Sequence, residues 1–369
     1  MKSFRLVPFV CLIAAGVLAN APQRAAAEEN SGAVFVMTNA ATANQIDAYW
    51  RKNDGSLEWA GAFATGGNGS GGAVDPLHSQ GSLTLGSDHR LLFAVNAGSG
   101  TVSSFAVQGA NLRLLDVQPT GGSSPTSVTQ SGDLLFVLNA GGNGSVSGFR
   151  ILGNGHLLPI KDSTRALSGN APSPTDVVLS PNREFLVVPE SATNTIDIFR
   201  VFPNGTLSAP VSSPSAGTVP FAALFAANGA LIVGNASNSI SSYSLDWNQR
   251  LHTITDALPT LGSATCWDVL AWDGRIVYTS NAGSSNLSGF TIGRNGTLTA
   301  IGATVVASNP TGSTNLDIAA SGDGKFVYTL NSGAGEIGIF AAQSDGSLTG
   351  LGQVNGLPAA AGLNGIAAY

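Results

Sequence analysis

The chain has 369 residues, of which 43% are hydrophobic and only 10% charged, and its formal net charge is −6. That balance, with no basic patch among interleaved aromatics, argues against a nucleic-acid binder, which needs clustered Lys and Arg. The 47 glycines and the lack of a long period-3.6 pattern exclude a helical bundle and point to a turn-rich all-β chain.

At the N-terminus, Lys2 and Arg5 flank the start of an apolar stretch from Leu6 to Leu18, and Ala25-Ala26-Ala27 stands before Glu28. This is the pattern of a signal peptide with a small-x-small cleavage site. The apolar run, about 13 residues, falls short of the ~20 that span a bilayer. The expectation is a leader over residues 1–27 and a single domain over 28–369. It includes export to the periplasm or the outside, and no membrane span after cleavage. Cleavage leaves Cys266 as the one cysteine. A lone cysteine reads as a small buried hydrophobe, and the mature chain forms no internal disulfide.

From Gly32 onward the chain repeats itself. An apolar strand ends at Asn39, Asn96, Asn139, Glu190, Asn235, Asn281 and Asn331. These anchor residues recur at about 49 residues on average, the size of a four-stranded propeller blade. Each unit holds a small-residue inner strand such as "PTDVVLS", a turn, the apolar strand, a Gly/Ser turn and a third strand such as "NTIDIF". An outer strand then opens at "DGSL", "NGHL" or "NGTL". Asn-Gly and Asp-Gly suit two-residue hairpins whose central residues both need positive φ. The first unit lacks an inner strand, while the C-terminal "LNGIAAY" matches "LDIAAS" at Leu316–Ser321. The sequence therefore predicts an all-β, seven-bladed β-propeller, four strands per blade, with its first blade closed by the C-terminal strand. Ala64–Ala73, "ATGGNGSGGA", lacks the Lys and helix of a phosphate loop and reads as a flexible inter-blade loop.

In such a ring the inter-blade connections and the second-to-third-strand turns share one face, here called the top. Sites gather where these loops converge. Alignment to the anchors starts the inner strands at Ser82, Ser127, Asp176, Ala223, Asp268, Asp317 and Gly365, with His78, Gln80, Trp267, Asn315 and Asn364 nearby. Asp and Asn at strand ends commonly satisfy local backbone N–H groups. Glu190 alone breaks the Asn pattern, and an acid pair with Asp176 in a dry pocket would raise one pKa and supply a general acid or base. On this reading Glu190, His78, Asp176 and Asp268 form the candidate catalytic set. Trp267, Gln80, Asn281, Asn315, Asp317 and Asn364 are candidate substrate contacts. His89, His156 and His252 fall away from the mouth, which disfavours a multi-His metal site. No cofactor is expected. A divalent cation such as Ca²⁺ at Asp176, Asp268 or Asp317 is compatible with the residues but not indicated.

The phrases "SQGSLTLGSDHRLLFAVNAGSGTVSSF", "PTDVVLSPNREFLVVPESATNTIDIFRV" and "DGKFVYTLNSGAGEIGIF" resemble the lactonase family of seven-bladed propellers. That family includes propeller-type 6-phosphogluconolactonase and 3-carboxy-cis,cis-muconate lactonizing enzyme. The resemblance covers Gly32–Tyr369 and implies lactone ring opening, or its reverse, near the top mouth. The family's His-x-His positions match Ser173 and Thr175 here, its Pro-Arg-His matches Pro220-Phe221-Ala222, and its Asn-Glu matches Asn235-Ala236. Its acid after Val-Pro matches Glu190. The missing Arg removes a clamp for a phosphate or carboxylate. The sequence therefore leaves two readings: a monomeric exported lactonase-like enzyme for an uncharged lactone or carbohydrate-derived lactone, or a non-catalytic propeller binding a ligand or protein partner.

Overall fold

The computed structural model describes Met1, residues 30–272 and residues 274–369. Apart from Met1, the proposed leader lies outside the described residues. The described residues form seven antiparallel sheets in a ring. The fourth, for example, runs from Val178–Leu179 at the axis through Phe185–Glu190 and Thr195–Arg200 to Val211–Pro214 at the rim. The third differs at its rim, where Leu157–Pro159 and Arg165–Ala166 both pair with Ser145–Ile151. The first is closed as expected. Ile366–Ala368 pairs antiparallel with Val34–Val36 inside Asn30–Met37.

The core lies between blades rather than at the axis. Phe35, Phe93, Phe136, Tyr278 and Tyr328 are fully buried on second strands. Second strands read as apolar runs because both of their faces are covered by neighbouring blades. The axis is lined by small residues such as Gly81, Ala319 and Ala367, because seven inner strands converge there.

The third-to-outer turns differ from the expected two-residue form. Gly55, Gly155, Gly205, Gly296 and Gly346 take φ near +85°, but the Asp or Asn before each does not. Those Asx side chains instead cap the turn, as Asp54 Oδ1 does by accepting the Ser56 N–H at 3.0 Å. Such a side chain acts as a backbone surrogate, so one left-handed glycine suffices.

The anchor asparagines tie their strand to the third strand beside it, as Asn139 does at Ser147 Oγ, and at Asn96 the tie also crosses between blades. Asn96 Nδ2 donates to Thr101 Oγ1 at 3.0 Å and Ser103 Oγ at 2.8 Å on the third strand. Its Oδ1 accepts from Thr65 Oγ1 at 2.6 Å, on the connection from the preceding blade. Gly67 lies so close that a Cβ there would sit 2.5 Å from Asn96 Cγ. Asn281 repeats the third-strand contact at Ser288, but its Oδ1 accepts from Thr265 on the inner strand of its own blade, and only Gly262 packs on it from the preceding connection. At Asn96 one amide thus satisfies donors and acceptors on two blades at once.

Candidate functional site

The top of the axial channel is occupied. The connection from blade 1 to blade 2, carrying Leu77–Gly81, crosses it and binds three other blades, the third, fourth and sixth. Ser79 Oγ donates to Thr126 O at 2.8 Å, and the Gln80 N–H to Thr175 O at 2.9 Å. Trp267 Nε1 donates to Ser79 O at 3.0 Å, and the Asp268 N–H to Gln80 Oε1 at 2.8 Å. Asn364 Nδ2 donates to Asp75 Oδ1 at 3.1 Å. The Gly-rich stretch leading into this plug is held too, with the Gly69 N–H on Ala40 O and the Gly71 N–H on Asn39 O. Gln80 and Trp267 therefore fasten the plug, and Trp267 is 1% exposed.

Below the plug lies a cavity of about 260 Å³ lined by Gln80, Asp268, Asp317 and the inner strands. Asp176 and Asp317 are cross-links between blades. Asp176 accepts from Ser127 Oγ at 3.0 Å, the Val177 N–H at 2.8 Å and the Ala223 N–H of the next blade at 3.0 Å. Asp317 accepts the Ile318 N–H at 2.8 Å and, across the closure, the Ile366 N–H at 3.1 Å. Asp268 is not their equivalent. Trp267 faces Ser280 as Asp317 faces Leu330, so Asp268 sits one place further along its strand. The hairpins differ in length from blade to blade, which anchor counting does not see. The Asp268 carboxylate makes no well-formed hydrogen bond, although the Thr279 hydroxyl and the Gly234 N–H lie close enough to oppose part of the effect of its burial. Burial pushes Asp176 and Asp268 up to about 7 and Asp317 up to about 8.

These shifts predict a pH dependence. The folded values lie above the ordinary 3.8, so the folded protein holds protons that the unfolded chain releases between about pH 4 and 8. Their stabilising contribution is complete below that window and is lost as pH rises through it. The wild-type melting temperature should therefore fall between pH 5 and pH 8. Asp268→Asn stays neutral throughout, so it should fall less and gain at least about 1 kcal/mol over wild type at the alkaline end. An equal or steeper fall in the variant, by calorimetry, would exclude this account.

Glu190 occupies the anchor position of blade 4 and is fully buried. Its Oε2 accepts from Thr193 Oγ1 at 2.7 Å and Thr195 Oγ1 at 3.1 Å, and Oε1 has no partner. Gly169 packs on it as Gly67 packs on Asn96. Where Asn96 meets Ser103, Glu190 meets Asp197, which takes the Ser168 N–H at 2.8 Å and Ser168 Oγ at 2.7 Å. Burial first, and the Asp197 charge after it, raise the Glu190 pKa. Asn281 serves the tie within its own blade, and Asn315 Nδ2 donates to Ser280 Oγ at 2.5 Å beside it. Asn364 Oδ1 accepts from Ser82 Oγ at 3.2 Å.

His78 is the most accessible of the candidate catalytic residues, with its side chain half-exposed. Its Nε2 lies 3.4 Å from Ser191 Oγ, and its Nδ1 lies 3.7 Å from Asp75 Oδ2. Phe221 meets the ring edge-on at 4.9 Å, and Trp267 backs Phe221 at 5.1 Å. Ser191 Oγ itself donates to Ser173 O at 2.9 Å. Asp75 also lines a top-face cavity of about 350 Å³ with Cys266, Trp267 and Thr314, set off the axis between blades 6 and 7. Burial pushes the Cys266 thiol far up, so it is an inert hydrophobe there. Sequence reading missed Asp75 and Ser191. Asp75 stands three residues before His78, a spacing that could have drawn attention to it, but Ser191 comes from another blade.

Residues 71–312 match the family described as "Lactonase, 7-bladed beta-propeller". No curated protein matches the chain. Among solved structures, a candidate 6-phosphogluconolactonase from Bacteroides uniformis is 19% identical with a TM-score of 0.71, over 93% of this chain and 100% of that one. The periplasmic gluconolactonase of Pseudomonas aeruginosa is 20% identical with a TM-score of 0.67, over 90% and 99%. A Lactobacillus plantarum protein is 18% identical with a TM-score of 0.73, over 91% and 98%. At these identities the structures speak for the shared fold, and the family match extends over most of the chain. Closed ring and sequence profile agree: the chain belongs to the lactonase family of seven-bladed β-propellers.

Proposed function

We propose that the protein is an exported lactonase-like hydrolase that opens an uncharged lactone, of a sugar or related hydroxy acid, on the top face beside His78. The observation that carries this reading is His78 set between Asp75 and Ser191 against the apolar edge of Phe221. With Nε2–H donating to Ser191 Oγ, Nδ1 is the basic nitrogen. A water attacks the lactone carbonyl carbon and gives its proton to Nδ1, where the Asp75 carboxylate stabilises the imidazolium. The ring C–O bond then breaks, and the leaving alkoxide recovers that proton. Phe221 stands where the family pattern carries an Arg, so the wall offers no clamp for a phosphate, which favours an uncharged ring. The leader pattern of residues 1–27 supports export, as does the fold shared with a periplasmic gluconolactonase.

The test is a hydrolysis panel of neutral sugar lactones, aliphatic γ- and δ-lactones and a phosphorylated sugar lactone, read by acid release. Neutral lactones should be turned over above background, and the phosphorylated one more slowly. Turnover of none of them would refute the reading and leave the ligand-binding propeller. A preference for the phosphorylated substrate would refute the neutral-ring assignment.

A further inference from the structure

The off-axis cavity on the top face adjoins the candidate base, yet the reaction at His78 makes no use of it. Its volume of about 350 Å³ is that of a small-molecule site. Val74 and Asp75 of the plug connection form one side, and the top of blade 6 forms the second. The approach to the inner strand of blade 7 forms the third. Asp75 joins this cavity to the candidate site, because the same carboxylate lies 3.7 Å from His78 Nδ1. Trp267 does so as well, since it lines the cavity and backs the Phe221 ring that meets His78.

The lining is mostly apolar. Trp267 and Leu316, 1% and 2% exposed, form its floor, and Ala264, Cys266 and Ala282 form its blade 6 wall. Val74 stands at the lip, 52% exposed, an apolar side chain left in water until something covers it. Among the described residues of the lining, Asp75 alone is charged, and its oxygens already face Asn364 Nδ2 at 3.1 Å and His78. The side-chain hydroxyls there are those of Ser285 and Thr314. A polyhydroxylated group would therefore give up water for few partners, at a cost for each hydroxyl left bare. An alkyl chain loses no hydrogen bonds and gains about threefold to fourfold in affinity for each methylene covered. The wall is held before any ligand arrives. The Ala282 N–H donates to Ala264 O at 3.0 Å, and the Ala264 N–H to Asn238 Oδ1 at 2.8 Å. A wall fixed in this way loses little freedom on binding.

We propose that this cavity holds an alkyl substituent of the lactone, so that the substrate is the internal ester of a hydroxy acid with an apolar tail rather than of a sugar acid. The proposal rests on the assignment of His78 as the base. The lactone carbonyl faces the water at His78 Nδ1, and the tail runs past Asp75 over Trp267 toward Leu316. Val74 closes over the tail from the lip. Specificity then comes from the length of the tail, and the reaction itself is unchanged.

Two measurements separate the cavity from the reaction. In the first, the protein hydrolyses γ-butyrolactone, γ-hexalactone, γ-nonalactone and glucono-δ-lactone. Along the γ-lactones kcat/KM should rise about threefold per added methylene until the cavity is filled, and the sugar lactone should fall below the longest of them. In the second, His78→Ala is titrated calorimetrically with γ-nonalactone, which should bind with a Kd on the order of 1 mM or tighter. Adding Val74→Asp or Ala282→Phe to that variant should weaken this binding about tenfold, by charging the lip or filling the cavity. Val74 is exposed and Ala282 partly so, and unchanged melting temperatures would verify folding. Binding of γ-nonalactone with no lactone hydrolysed would sustain the alkyl site and refute His78 as the base. A flat kcat/KM series, no saturation of His78→Ala by about 10 mM γ-nonalactone, or unchanged affinity on adding either substitution would overturn the alkyl site, even with sugar lactones turned over.

Discussion

Removing Leu363–Tyr369 is expected to destabilise the protein by several kcal/mol or to prevent a soluble fold altogether. The segment does more than supply three paired residues. Gly365 O accepts the Met37 N–H at 3.0 Å, and Tyr369 O accepts from Arg51 Nε at 3.0 Å. Asp317 reaches across the closure to the Ile366 N–H. Leu363 and Ile366 are buried, each worth about 1.5–3 kcal/mol relative to exposure. Their loss would also bare the Ala33–Met37 strand, whose residues are fully buried. Such an apolar edge pairs readily with another chain. Thermal melting and sedimentation of the truncated protein check this. A monodisperse product with the wild-type melting temperature would show that the ring holds without its clasp.

His78→Ala is expected to lower kcat for the best neutral lactone by roughly 10²–10⁴-fold, the usual range for a general base. Folding should be little changed, because the side chain is half-exposed and its contacts are few. Asp75→Asn should cost less, about tenfold, since it removes only the charge beside the imidazolium. The effect should fall on kcat more than on KM, because that charge matters most once the imidazolium forms. His156→Ala on the bottom face is the control and should match wild type. Full activity in His78→Ala would remove the base from the scheme. In that event Glu190→Gln becomes the next variant to measure, since Glu190 is the acid that departs from the repeated pattern.

The repeat was legible because a propeller writes its structure as a period. Each blade needs the same alternation of small axial strand, apolar second strand and Gly-rich turn, and a closed ring needs its missing strand from the far terminus. Even the recurring asparagine was visible, although the tie that Asn96 makes between blades was not. That tie depends on Thr65 and Gly67 belonging to the preceding blade, a proximity that no local pattern encodes. Glu190 shows the same division. Its oddity was plain from the spacing, but the carboxyl's burial beside Asp197 follows from strand pairing.

What the chain order alone determined is the architecture, the closure and the identity of the top face, since these follow from hydrophobic period and turn chemistry. The tertiary structure decided which top-face residues meet. Residues 77–81 fill the mouth of the axial channel, because their hydrogen-bonding groups find partners on blades 3, 4 and 6. That choice buries Trp267, ties Gln80 to the Asp268 N–H, leaves His78 accessible, and brings Ser191 to it from 113 positions away. Contacts of such separation are fixed by how the blades pack around the axis.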